Sequence, residues 1–182
     1  SISGGKDVVI DLRAPLQPDR TYTCNIGEVV ADLSENNPAQ GMTYVISTGG
    51  HLDSLFVSGQ VVNASTEKPQ ADVLVLLQTA TDTGDVRSAP PQWFTRSDAQ
   101  GRFTVANLPA GAKRIYALRD RNGNYRYDLP NEEVAFQAET VEPGAGKSVH
   151  LRLFTAQSPT QFVSLAKVLP ERGWQLAMAR PA

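Results

Sequence analysis

The residue pattern predicts an all-β chain, and three observations carry that prediction. Apolar residues recur with a period of two, they come in short runs, and the runs are broken by Gly, Pro, Asn and Asp. Alternate residues of a strand face opposite sides of its sheet, so this spacing sets an apolar face against a core and a polar face in water. Only the stretch near Phe162 to Val168 carries helical spacing, with Phe162, Leu165, Ala166 and, just beyond it, Leu169 on one side. That stretch also alternates, which leaves helix and strand both open there.

Taken in order, Val8, Ile10 and Leu12, then Tyr22, Cys24 and Ile26, then Met42, Tyr44 and Ile46 predict three strands. Pro15 and Pro18 separate the first two, and the polar segment 34–38 precedes the third. After Gly49-Gly50 a second series of strands is expected at 57–62, 73–77, 103–105, 115–118, 134–136 and 149–154, stacked as antiparallel ribbons. Residues 73–77 are apolar at every position, so that strand should be central and covered on both faces. Trp174, Leu176 and Met178 predict one more strand near the end of the chain.

Composition narrows the function classes. Lys and Arg number 17 against 19 Asp and Glu, a net charge of -2, which argues against a surface built to displace counterions from nucleic acid. The longest apolar runs are about five residues, whereas a membrane-spanning helix needs about twenty, so no spanning segment is expected, and no secretory signal pattern starts at Ser1. Cys24 is the single cysteine, which rules out an internal disulfide and a multi-cysteine zinc site. It alternates with Tyr22 and Ile26, so a small apolar role is expected for it rather than a nucleophilic one.

Residues 57–120 carry Gly59-Gln60-Val61, Pro69 before Val73-x-Val75, Ser97-Asp98-Ala99-Gln100-Gly101-Arg102-Phe103, Leu108-Pro109-Ala110-Gly111 and Tyr116-Ala117. Asp98-x-x-Gly101 suits a tight turn before a strand whose Phe103 enters the core, and Leu108-Pro109-x-Gly111 suits the turn into the next. This combination resembles the prealbumin-like sandwich of carboxypeptidase regulatory-like domains and of B-type repeats in bacterial adhesins. Upstream, Leu16-x-Pro18-x-x-Thr21-Tyr22-Thr23, Ala31-Asp32-Leu33, Asn36-x-Pro38 and Tyr44-x-Ile46-Ser47-Thr48-Gly49 resemble the second half of a bacterial Ig-like domain of the S-layer type. The resemblance implies a seven-stranded prealbumin-like Greek-key β-sandwich at 55–155, preceded at 1–54 by the C-terminal part of an Ig-like sandwich. Residues 156–182 then begin a further domain or complete the first. It also implies a bacterial envelope protein, secreted or lipid-anchored, facing the periplasm or the outer surface, whose partners are other domains of the same protein.

The best polar cluster lies at 120–133, where Asp120, Asn122, Asn124 and Asp128 fall at relative positions 1, 3, 5 and 9, as in loops that wrap calcium with alternate oxygen side chains. Calcium loops of adhesin B-type repeats are similar. Tyr125 stands at position 6, where Gly is usual, and Asn131 at position 12, where a bidentate Glu is usual; Glu132 or Glu133 would substitute in a shifted register. The plainer alternative is a long turn whose Asp and Asn side chains bond their own backbone, with Gly123 supplying a positive φ.

Trp93, Phe94 and Tyr125 form the other candidate site, an aromatic platform for a glycan or peptide ligand, against the plainer alternative of a strand start at Trp93-Phe94 whose aromatics cover the core. His51, Asp53 and Ser54 lie within one linker and read as linker rather than triad, because a triad is assembled from distant elements around an oxyanion hole. His150 sits between Val149 and Leu151 and should point outward. Gly144-Ala145-Gly146-Lys147-Ser148 lacks the spacing of a phosphate loop. The expectation is a non-catalytic structural or adhesion module, with no cofactor beyond calcium. The alternatives are a glycan- or peptide-binding module and an accessory domain of a secreted hydrolase.

Overall fold

The computed structural model describes residues 2–3, 7–8, 12, 14–25, 43–156, 163–169 and 173–178. All regular structure among them is β, in thirteen strands: β1 (Ile2–Ser3), β2 (Asp7–Val8), β3 (Thr21–Asn25), β4 (Thr43–Ser47), β5 (Leu55–Asn63), β6 (Leu74–Thr79), β7 (Trp93–Arg96), β8 (Arg102–Leu108), β9 (Lys113–Leu118), β10 (Glu133–Phe136), β11 (Val149–Thr155), β12 (Val163–Leu169) and β13 (Gly173–Met178). The undecided segment near Leu165 is therefore a strand. Ile10, Ile26, Met42, Phe162 and the 34–38 turn lie outside the described residues.

Seven strands form one mixed sheet in the order β7-β6-β9-β10-β11-β5-β8, folded over until its two edge strands, β7 and β8, approach each other and the sheet nearly closes. Alternation fills the interior: Val57 and Val61 of β5, Val75 and Leu77 of β6, Phe103 and Val105 of β8, Ile115 and Ala117 of β9, and Leu151 and Leu153 of β11 meet in one cluster. Each Val, Leu, Ile or Phe side chain so removed from water contributes roughly 1.5–3 kcal/mol, so this cluster is the main source of stability. The all-apolar stretch of β6 is explained by a second, outer cluster. Leu74 and Leu76 turn away from the interior and are covered by Val86 and Tyr127, brought over them by the loops after β6 and β9.

Those loops are pinned. Gln78 and Arg114, cross-strand neighbours on β6 and β9, reach into the segment after β6, where Gln78 donates to the Asp85 and Ala89 carbonyls and Arg114 to those of Asp82 and Gly84. The Tyr127 N–H in turn donates to the Val86 carbonyl at 3.0 Å.

The expected turns form as their residues require. Gly101 adopts φ +71° and donates to the Asp98 carbonyl at 2.9 Å, while the Asp98 carboxylate accepts from the N–H groups of Gln100 and Arg102. One expectation is corrected. The ribbons are not all antiparallel, because β5 and β11 run parallel, pairing Val149 with Gly59 through to Leu153 with Asn63. Alternation fixes which face a residue takes but carries no information about the direction of its neighbour. The two backbones come unusually close there: a Cβ on Gly59 would stand 2.0 Å from the Val149 carbonyl oxygen.

The remaining strands form three small sheets, β1-β2, β3-β4 and β12-β13. In the β3–β4 pair, Tyr22 opposes Ile46 and Cys24 opposes Tyr44, which gathers the apolar residues on one face. The polar face looks toward the sandwich, where the Thr21 hydroxyl accepts from the Asp53 N–H at 2.9 Å and the Asn107 amide donates to the Thr23 hydroxyl at 3.3 Å.

Candidate functional site

The segment between β9 and β10 is held by two carboxylates that accept backbone N–H groups, and their positions follow from the strands they adjoin. Asp120, just beyond β9, accepts from Gly123 at 2.8 Å, Asn124 at 3.3 Å and Tyr125 at 2.8 Å. Glu132, just before β10, is fully buried and accepts from Arg121, Asp128 and Leu129, each at 3.1 Å. A carboxylate buried without such donors would be costly, so the loop and Glu132 stabilise each other.

Between these anchors, the Asn122 amide donates to one Asp128 oxygen at 3.1 Å and the Asn124 amide to the other at 2.6 Å. Their own side-chain oxygens accept from the N–H groups of Asn124 and Arg126. Asp120, Asn122, Asn124 and Asp128 are thus drawn into one hydrogen-bonded network, and Glu132 is committed to the loop base. Tyr125, at the sixth position, takes φ +61°, the left-handed conformation for which Gly is usual there. The residue type departs from the calcium-loop pattern while the backbone at this one position takes the conformation that pattern requires. For a cation to enter, the Asn122 and Asn124 amides would have to rotate, since their NH2 groups face Asp128. Among the described residues no group of three or more His, Cys, Asp or Glu side chains is disposed to hold a metal.

The three aromatic residues do not form one platform. On β7, Trp93 pairs with Leu77 and packs half-buried against the inner cluster, whereas Phe94 pairs with Leu76 on the outer face. Phe94 meets Tyr125 edge-on with ring centroids 5.1 Å apart, and both rings keep over a third of their surface exposed. Strand alternation separates Trp93 from that pair, as it must for adjacent residues. The outer face carries Phe94, Leu76, Tyr116 and Phe136 in one cross-strand row. A cleft of about 540 Å³ between the β3–β4 pair and the β7 and β8 edges is bordered by Arg20, Thr21, Thr23, Trp93, Phe94 and Asn107.

His51 and Ser54 are exposed on the linker before β5, with Asp53 half-buried there, and His150 points outward from β11. Cys24 is half-buried on the apolar face of β3. Lys113 was not singled out by the sequence reading, yet its side chain is almost fully buried. Its ammonium donates to the carbonyls of Gly111 at 2.6 Å and Ala110 at 3.3 Å, and lies 5.4 Å from the Trp93 ring centroid. Burial pushes its pKa below the usual lysine value, against the pull of Glu142 and Asp53. The signal was present in the sequence, because Lys113 shares the inward phase of Ile115 and Ala117.

Comparison with protein-family models, curated proteins and solved structures gives no match for this chain. Among the described residues, no helix is long and apolar enough to cross a membrane.

Proposed function

We propose that the seven-stranded unit is a non-catalytic structural module of a bacterial envelope protein, holding the segments on either side of it at a fixed distance. The observation that carries this reading is the parallel pairing of the first strand of the sheet, β5, with the last, β11. Because they run the same way, the chain arrives at Leu55 at one end and leaves at Thr155 at the other, about ten residues of strand apart, or ~33 Å at 3.3 Å per residue. A rigid body with its connections at opposite ends acts as a spacer, and its loops are tied by their own side chains. The envelope location rests on the resemblance to adhesin repeats and S-layer-type domains. The test is replacement of residues 55–155 in the parent protein by an unrelated sandwich of equal end-to-end length. Retained surface function is expected; loss of function with normal display of the protein would overturn the reading.

A second reading, that the 120–133 loop takes calcium, is supported by the convergence of Asp120, Asn122, Asn124 and Asp128 and by the left-handed backbone at Tyr125. Calorimetry with calcium chloride tests it, with heat of binding and a raised Tm expected. Neither effect in millimolar calcium would remove it.

A further inference from the structure

We infer that the β5–β11 pair is a mechanical clamp, so that the module bears tension applied through its two flanks; the inference rests on the spacer reading. Force enters at Leu55 and leaves at Thr155, and both strands lie along that line. Pulling the flanks apart slides β5 and β11 past each other in opposite directions along their shared axis. The hydrogen bonds linking them are then loaded together in shear, and none yields before its neighbours. Force applied across the strands would instead open the bonds one after another, each alone against the load.

Three features concentrate resistance on this pair. It is interior to the sheet, with β8 on the far side of β5 and β10 on the far side of β11. Its register runs unbroken from Val149↔Gly59 to Leu153↔Asn63, and beyond it the Ala64 N–H donates to the Leu153 carbonyl at 2.9 Å. Gly59, lacking a Cβ, admits the close approach of the Val149 carbonyl, so sliding must break a backbone contact that no side chain holds apart. Val57, Val61, Val149, Leu151 and Leu153 project from the two strands into the inner cluster, where sliding would have to drag them through a packed core. At the exit end, Arg152 and Glu67 form an ion pair at 3.2 Å, exposed and therefore a minor contributor.

Single-molecule force spectroscopy on the full chain, set between marker domains, tests the clamp by changing only the direction of load. Pulled through its two flanks, residues 55–155 should release about 330 Å in one step, at ~3.6 Å per extended residue less the folded span. In the second geometry, force runs between the N-terminal flank and a linkage at Lys147→Cys in a Cys24→Ser background. Lys147 is exposed in the loop whose Gly144 N–H bonds the Phe56 carbonyl, so this load begins beside the start of β5 and peels β11 from Val149. Ala145→Cys in the same exposed loop serves if Lys147→Cys does not match the wild-type Tm. The expected rupture force is at least twofold lower in the peeling geometry; a smaller ratio overturns the clamp. The two readings fail separately. Equal forces sink the clamp and leave the spacer intact, whereas failure of the length-matched replacement sinks the spacer and leaves the force ratio unchanged.

Discussion

Removing the charge of Glu132 tests the account of the 120–133 loop at its most buried point. The carboxylate is fully enclosed and accepts three backbone N–H groups, two on one oxygen and one on the other. Glu132→Gln keeps the shape but turns an NH2 group toward one of those donors and removes charge assistance from the rest. A charge-assisted hydrogen bond contributes about 1.5–3 kcal/mol, and a buried donor left unpaired costs a similar amount, so the amide should cost about 2 kcal/mol. Glu132→Ala strands all three donors, but Arg121 and Asp128 are exposed and water reaches part of the gap, which holds the expected loss to about 4 kcal/mol. For a unit of this size, about 2 kcal/mol lowers Tm by roughly 10 °C. Urea unfolding followed by tryptophan fluorescence gives the free energies, and differential scanning calorimetry gives the Tm. An amide variant within about 0.5 kcal/mol of wild type, the range of an ordinary surface change, would refute the assignment of Glu132 as the loop's anchor.

Gly59→Ala should cost at least ~3 kcal/mol in urea unfolding, because a Cβ 2.0 Å from the Val149 carbonyl oxygen forces β5 and β11 apart; a near-neutral result would mean that the parallel register is wrong. Leu76→Ala should cost about 3 kcal/mol although it faces away from the inner core, and a loss below about 1 kcal/mol would show that Val86 and Tyr127 do not cover it. Lys113 gives a pH signature. Its folded-state pKa lies below the unfolded value of 10.5, so the unfolded chain binds the proton more tightly, and the contribution present above pH 10.5 is lost as pH falls through the folded pKa. The stability of wild type relative to Lys113→Met should therefore rise as pH approaches 10.5 from below, and a flat or falling difference in paired denaturation curves would contradict the burial of the ammonium.

Most strand positions were legible because burial imposes a period of two, and the unbroken apolar stretch of β6 announced its two covered faces. The first strand was not, since Leu12, which shares the alternation of Val8, lies outside any strand and is exposed. A strand start at Trp93-Phe94 was legible, but not which ring would face inward: Trp93-Phe94-Thr95-Arg96 follows two prolines and offers too few residues to establish a phase. Strand direction was illegible, since Gly59 and Val149 carry the same alternation whether their strands run together or opposed. In the 120–133 loop, the oxygen-rich spacing gave the cluster but not its division of labour. Glu132 and Lys113 were missed as anchors because charged residues are read as solvated by default, and only their phase relative to Val134 and Ile115 marks them otherwise. The parting of Trp93 from Phe94 follows from alternation once β7 is known to be extended.

The covering of β6 on its outer side bears on how this scaffold tolerates change. Surface loops are ordinarily where foreign peptides are grafted, yet the segment carrying Val86 and the one carrying Tyr127 close a second hydrophobic layer. Insertions there would strip Leu74 and Leu76 of their cover, whereas the exposed stretch around Ala145 and Lys147 closes no such layer. The module therefore has one end open to elaboration and one broad side that must be inherited intact, an asymmetry that a library designer would meet before any binding surface was chosen.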